Sequence, residues 1–318
     1  MEQFVYNHPN ANFFQSTRAY NFFKSLPSYN PVLLVANEEN EITGTLLAVV
    51  IKEGNGINGY FSRRCIVWGG PLVKDENPEV YSKLLYELNR KMSSMAIYTE
   101  FRNFFDQSCK KELFEKFNYQ FNEHLNFIVP TISIEETKSK LSKSKVKQIK
   151  KTIQNGAEIV QAKCIEDVKE FFTILDTLYK EKVKKPLASF VFFQKFFEDE
   201  SLGKYFLLKK DNQVIGGIMC PIYKDKIYEW FVCGLDGKFK DVYPSVLATW
   251  APIEYALSNG LKYFDFMGAG KPDEDYGVRE FKSRFGGELV NYGRFIKVNN
   301  RFLFNLGKLG LKILKKIK

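Results

Sequence analysis

Residues 207–219 read LLKKDNQVIGGIM, and residues 33–47 read LLVANEENEITGTLL. Each is an apolar run, a polar turn and a second apolar run with a glycine early in it, the pattern of a β-hairpin. The segments after the two hairpins also repeat. A strand is predicted near Arg64–Trp68 in the first copy and over Ile227–Cys233 in the second. A helix comes next, Pro78–Met95 and Tyr243–Ser258. Then comes a short strand with one acid near its end, AIYTEF at 96–101 and LKYFDF at 261–266. A small helix and a closing hairpin end each copy, with Leu113, Phe117 and Phe127 in the places taken by Phe281, Phe285 and Phe295. The offset is roughly 170 residues throughout, one domain length. The order strand–strand–strand–helix–strand–helix–strand is that of a mixed sheet with helices packed on it. The chain is therefore expected to be an α/β (α+β) protein built from two copies of one unit. The first domain is set at 1–135, the second at 136–298, opening with a basic helix, and a C-terminal helix at 299–318. The ligand site of such a pair is expected in the cleft between the copies, or where strands splay.

Size and composition agree with two domains. The chain has 318 residues, 45% hydrophobic and 26% charged, which excludes a disordered chain, a collagen and a coiled-coil rod. No apolar stretch approaches the ~20 residues of a membrane helix, and the start, Met1-Glu2-Gln3, lacks a secretory signal's basic and apolar regions. Five scattered cysteines without a CxxC pair, and only His8 and His124 as imidazoles, argue against a disulfide framework, a zinc site and a Ser-His-Asp triad. A reducing, cytoplasmic setting is expected, with neither metal nor cofactor.

The net charge of +10 is concentrated. Residues 138–151 (KSKLSKSKVKQIKK) hold seven lysines and no acid, and residues 297–318 hold seven lysines and arginines and no acid. Such segments suit phosphates or anionic head groups. The first has an apolar edge at Val146, Ile149 and Ile153, so it reads as a helix. Its lysines serve either as a solvated face or as contacts to RNA phosphate. In the tail, Phe302, Leu306, Leu309, Ile313 and Ile317 recur at helical spacing with lysines on other faces. That helix either lies on an anionic membrane through 301–318, at the inner face of the cytoplasmic membrane, or docks its stripe on the body.

The strongest local signal is GLKYFDFMGAGKPDEDYGVREFKSRFGGELVNYGR at 260–294. A strand ends at Asp265, small residues come next at Gly268-Ala269-Gly270, and Tyr276-Gly277 opens a helix. Val278, Phe281 and Phe285 share one helix face, and Arg279 and Lys282 share another. A cationic pair beside a glycine-rich strand end suits an oxyanion or a phosphate. Asp265 either orients a substrate amine and accepts its proton, or caps the next turn. Glu100 is its repeat counterpart, with Arg102 and Asn103 adjacent, and Arg102 either meets substrate or pairs with Glu100. Arg63 and Arg64, ahead of Trp68, either meet an anion or are edge-strand charges.

This block resembles the C-terminal signature of the Fem family, transferases that use aminoacyl-tRNA to build peptidoglycan bridges. The matching residues are Asp265, Gly268, Tyr276, Gly277, Phe281, Lys282, Phe285, Gly286 and Gly287. His8-Pro9-Asn10-Ala11-Asn12 with Phe14-Gln15-Ser16, Trp68-Gly69-Gly70-Pro71-Leu72, Glu100-Phe101-Arg102-Asn103 and Lys143–Gly156 resemble other parts of the family pattern, so that the likeness runs from 5 to 298. It implies two tandem GNAT-like (acetyltransferase-like) domains without the coiled-coil arm of longer members. It also implies transfer of an activated acyl group, from aminoacyl-tRNA or another donor, onto an amine of a cell-envelope precursor. By this match Lys282 is the candidate oxyanion donor and Asp265 its catalytic companion. Tyr276, Arg279, Glu100, Arg102, Asn103, Arg64 and Trp68 are the candidate substrate contacts. The (Q/R)xxGx(G/A) phosphate loop of acetyl-CoA enzymes is missing. Its place between Gly234 and Val246 holds Leu235-Asp236-Gly237-Lys238-Phe239-Lys240-Asp241. Two other readings stand beside the first. One is an N-acyltransferase using acyl-CoA or an acyl carrier in exopolysaccharide or lipid synthesis, the other a non-catalytic adaptor binding RNA or membrane. The sequence gives no oligomeric state.

Overall fold

A computed structural model of the chain describes residues 1–54 and 56–307. Its elements run α1 (Glu2–Asn7), α2 (Thr17–Lys24), β1 (Tyr29–Glu38), β2 (Glu41–Ile51), α3 (Gly56–Phe61), β3 (Arg64–Trp68), β4 (Leu72–Val73), α4 (Pro78–Met95) and β5 (Tyr98–Arg102). Next are α5 (Lys111–Lys116), β6 (Gln120–Asn122), β7 (Asn126–Pro130), α6 (Ile134–Lys140), α7 (Lys143–Gln154), β8 (Ala157–Gln161), α8 (Ile165–Leu178) and α9 (Phe190–Glu198). The last are β9 (Gly203–Lys210), β10 (Gln213–Tyr223), β11 (Lys226–Tyr228), β12 (Phe231–Gly234), α10 (Pro244–Ser258), β13 (Tyr263–Asp265), α11 (Gly277–Ser283), β14 (Glu288–Val290) and β15 (Arg294–Val298). Residues 301–307 are helical again.

The chain forms two compact units. Among the described residues one holds 1–124 and 291–307, the other Leu125–Val290. The first holds a sheet in the order β1-β2-β3-β5-β15-β6, with β4 on β2. The second holds β14-β7-β13-β11-β10-β9-β8, with β12 on β10. In both, an antiparallel hairpin leads to a strand, a long helix, and a strand parallel to the one before the helix: β3 with β5, β11 with β13. The expected pair of like α/β units is present.

The domain limits differ from those expected at 135/136 and 298/299. β7 pairs with β13 and β14, placing Phe127 and Val129 in the core of the second unit. β15 pairs with β5 and β6, placing Phe295 in the core of the first, stacked on Phe114 at 3.9 Å. The last strand of each repeat thus completes the other repeat's sheet. Hydrophobic patterning shows that such a strand buries one face, but not against which sheet.

Local sequence accounts for the two long helices. Asn77 caps α4 by accepting from Glu79 N at 2.9 Å, and Pro78 opens it. Val80, Tyr81, Leu84, Leu85, Leu88 and Met92 make one buried stripe against β1 and β2. A Cβ at Gly44 would stand 2.7 Å from Val80 Cγ1, so this glycine lets the helix approach. α10 (PSVLATWAPIEYALS) is apolar on nearly every side and is correspondingly buried, packed on the second sheet and on α7. In 301–307, Leu303 is buried while Phe302 and Leu306 are exposed. The rest of the amphipathic tail, with Leu309, Ile313 and Ile317, lies outside the described residues. No helix among the described residues is long and apolar enough to cross a membrane.

Candidate active site

The site is built around the loop between β13 and α11. The backbone there takes left-handed or glycine-like conformations at Met267 (φ 57°), Gly268 (φ 142°) and Gly270 (φ 79°), which turns its carbonyls away from any regular ladder. Two cations of α11 collect those carbonyls. Lys282 Nζ donates to Phe266 O at 2.9 Å and to Gly268 O at 2.8 Å. Arg279 donates from Nε to Ala269 O (3.0 Å), from Nη1 to Pro272 O (3.2 Å), and from Nη2 to Lys271 O and to Glu274 O (2.9 Å). The ring of half-exposed Tyr276 lies over Gly270, 2.8 Å from where a Cβ would stand. The helix is anchored by buried Phe285 and partly buried Phe281, whereas Val278, expected beside them, is exposed.

This arrangement bears on two expectations. Arg279 is not a free cation for substrate phosphate, because four of its five N–H groups hold its own loop. Lys282 is present at the expected place but is fully partnered in this structure. The residue is 8% exposed and its three ammonium protons all have acceptors, the third being Glu229 Oε1 at 2.8 Å. Burial of an ammonium requires such partners, and Glu229 supplies the charge.

Glu229 belongs to no motif in the sequence. It stands just past β11, opposite the end of β13, where Tyr228 pairs with Asp265 and the two parallel strands part. Its carboxyl is pushed above the ordinary range by burial, with Lys282 opposing and Asp265 adding to the rise. The signal that could have found it is an acid inside the apolar run Ile227–Cys233, since a charge in such a run is buried and must be paired. Asp265 is buried too, and burial raises its carboxyl against the pull of Asn126, the Met267 amide, Lys226 and Lys282. Its Oδ1 accepts from Asn126 Nδ2 and from Met267 N, both at 2.7 Å, so the capping reading is the one its geometry displays. Asn126, from the exchanged strand β7, also accepts from Gly268 N at 2.7 Å.

The basic helix α7 is mixed. Lys143, Lys147 and Lys150 are exposed at i, i+4 and i+7, one stripe of the helix. Lys145 is buried with its ammonium 3.8 Å over the Phe281 ring, and burial, then Arg284, push it down to about 8.

In the first unit the candidates are held by local partners. Glu100 is buried, with Oε2 taken by Arg102 Nη2 (2.9 Å) and Oε1 by Arg294 Nη1 (2.8 Å). Burial alone would raise its carboxyl, but the two guanidiniums outweigh it and bring it to about 2. Arg102 therefore pairs locally, and its guanidinium also lies 5.7 Å over Trp68. Asn103 donates to Tyr292 O and accepts from Gln107. Arg64 pairs with Glu53 at 2.5 Å. Trp68, expected at a substrate surface, is buried at the end of β3 and stacks on Phe14 and Phe23 at 5.5 and 5.6 Å, because the N-terminal segment that carries those two rings covers it. The same unit has an open cavity of about 680 Å³ lined by α1, the turn after it and residues 41–42 and 73–76, none of them a candidate residue. Among the described residues no cluster of His, Cys, Asp and Glu is arranged for a metal ion.

Three comparisons with known proteins bear on this site. No curated protein matches the sequence. Among solved structures, FemX superposes with a TM-score of 0.72 at 14% identity, covering 96% of each chain. L-PGS from Bacillus licheniformis gives 0.58 at 14%, over 92% of this chain and 90% of that one. A tandem GNAT protein from the clavulanic acid biosynthesis pathway gives 0.53 at 9%, over 86% and 84%. At these identities the likeness is one of fold, the tandem GNAT-like architecture. The model of the FemAB family matches residues 110–310, well over half of the sequence and all of the loop, helix and strands that hold Lys282, and the chain belongs to the FemAB family.

Proposed function

We propose that the chain is an amide-forming acyltransferase that moves an aminoacyl group from tRNA onto an amine of a cell-envelope precursor such as a muropeptide. Family membership supports the class of reaction. The observation that carries the reading is the desolvated Lys282–Glu229 pair at the carboxyl ends of β11 and β13, the end of parallel strands where α/β folds collect their ligands. An aminoacyl ester is already activated, so the enzyme has to bring amine and carbonyl together and stabilise the oxyanion of the tetrahedral intermediate. An oxyanion is a stronger acceptor than a peptide carbonyl, and it competes with Gly268 O for one N–H of Lys282. One donor of this kind contributes about 3–4 kcal/mol to the transition state. The exposed lysine stripe of α7 suits a polyanionic donor.

Acyl-CoA is disfavoured as the donor by the residues that stand where its phosphate loop would be. Asp236 accepts from Ser245 N at 3.1 Å and from the Ser245 hydroxyl. A carboxylate of the chain thus occupies the α10 N-terminus that would otherwise receive phosphate. Pyrophosphate would meet a like charge there. Incubating the protein with a muropeptide precursor bearing a free amine, and with either charged tRNA or acyl-CoA, tests the proposal. A tRNA-dependent amide product is expected. A product formed from acyl-CoA alone overturns the donor assignment.

A further inference from the structure

We infer that Glu229, which no motif marks, is a positioning residue that sets the location and charge environment of Lys282 and acts on transfer through it. The inference rests on the reading of Lys282 given above.

Its backbone is fixed from two sides. Glu229 N donates to Asp265 O at 2.9 Å, and the next residue returns to β10 through Trp230 N to Met219 O at 3.1 Å. The side chain therefore rises from rigid strand ends at the fork between β11 and β13, the kind of base that holds a reacting group in register. Through Oε1 it holds Lys282 Nζ at 2.8 Å, completing the cage begun by the carbonyls of Phe266 and Gly268. Those two carbonyls carry only partial charge, so Glu229 is the anion of the cage.

The same molecule supplies a contrast. Glu100 has both carboxylate oxygens paired with guanidinium groups, as expected of an acid that serves the fold. Glu229 has Oε1 on Lys282 and Oε2 buried without a hydrogen-bond partner among the described residues. A buried oxygen with no donor is a net loss for stability. An apolar pair of the same volume would fill the space more favourably than a half-satisfied ion pair. The arrangement is accounted for by what it does to Lys282. The titratable groups that face Glu229 are Lys282 on α11, Asp265 on β13, Cys220 on β10 and Tyr179 after α8. Of these, Lys282 alone brings a positive charge.

The test uses the full chain with charged tRNA and an amine-bearing precursor, comparing wild type, Glu229→Gln and Glu229→Asp, with thermal unfolding to confirm folding. Glu229→Gln keeps the shape and removes the charge. It is expected to lower kcat at least tenfold with KM for the precursor within twofold, and to make the acid limb of the kcat profile shallower, since protonation of the Glu229 carboxylate no longer adds to protonation of the attacking amine. Glu229→Asp keeps the charge but withdraws the oxygen by one methylene, and is expected to fall between the two and retain the limb. A folded Glu229→Gln with kcat within twofold of wild type overturns the inference, as does an unchanged acid limb. If Glu229→Gln does not fold, Glu229→Asp decides: wild-type kcat overturns the inference, and a reduced kcat with unchanged KM supports it. Labelling of Lys282 by an amine-selective reagent, read by mass spectrometry, separates this inference from the functional reading. If no donor gives transfer, the functional reading fails, while Lys282 is still expected to label at least tenfold faster in Glu229→Gln than in wild type, and in Glu229→Asp at a rate between the two. Equal labelling rates overturn the role of Glu229.

Discussion

Three buried acids, Glu100, Glu229 and Asp265, respond to pH with opposite signs. Glu100 is held at about 2 against an ordinary 4.5. Its stabilising contribution is therefore complete above the ordinary value and is lost as pH falls through the interval down to about 2. Removing its charge strands two guanidiniums, so Glu100→Gln is expected to lower stability at pH 7 by about 3–5 kcal/mol and to flatten the acid side of the stability curve. Urea unfolding at pH 7 and pH 3 measures both. Glu229 and Asp265 have raised carboxyls, so their contribution is complete below the ordinary carboxylate range and declines as pH rises through their elevated values. Asp265→Asn is accordingly expected to lessen the fall in stability over that upper interval, read by unfolding across pH 4 to 8. Asp265, Glu100 and Lys282 are legible in the sequence because strand ends and the FK-x-x-FGG pattern mark them. Glu229 is not, because an acid inside an apolar run is identified by its partner, and Lys282 lies more than fifty residues further along the chain.

The loop between β13 and α11 is legible as a glycine-rich turn beside two cations, but the sequence alone presents those cations as facing outward. Carbonyl accounting explains the difference. With Met267, Gly268 and Gly270 at positive φ the loop leaves its ladder, and Arg279 and Lys282 take the carbonyls of Phe266, Gly268, Ala269, Lys271, Pro272 and Glu274, while Gly270 O accepts from Leu125 N. Arg279→Ala is expected to destabilise the protein by about 2 kcal/mol, since a hydrogen bond to a charged group contributes about 1.5–3 kcal/mol. It should also speed amide exchange over residues 267–277, with the β9–β10 hairpin unchanged. The N-terminus of α10 is the second case. Asp236 and Ser245 close it, and Asp236→Ala should lower stability by about 1 kcal/mol, the ordinary loss of a cap, seen as a reduced Tm.

At the scale of the chain, the duplicated unit is readable because hairpin, helix and strand recur in order, and the α4 limits agree with those expected. The exchange of β7 and β15 is not readable, since both strands bear the alternation that suits either sheet. It has a measurable consequence. A fragment of residues 125–290 keeps β7, with Phe127 and Val129 against β13 and β14, and is expected to unfold cooperatively. A fragment of 136–298 lacks that strand, exposes two edges, and is expected to aggregate or remain unfolded. Circular dichroism and sedimentation distinguish them, and equal folding of both would contradict the exchange.

Caged by Glu229 and two carbonyls, Lys282 is proposed to stabilise the transition state of amide formation. The most direct measurement is single-turnover transfer of a labelled aminoacyl group from charged tRNA to an amine-bearing muropeptide precursor, by wild type and by Lys282→Met at matched folded fraction. A loss of about 10²- to 10³-fold in the rate, with precursor binding preserved, is the result predicted. Transfer at the wild-type rate by a folded Lys282→Met protein would contradict it.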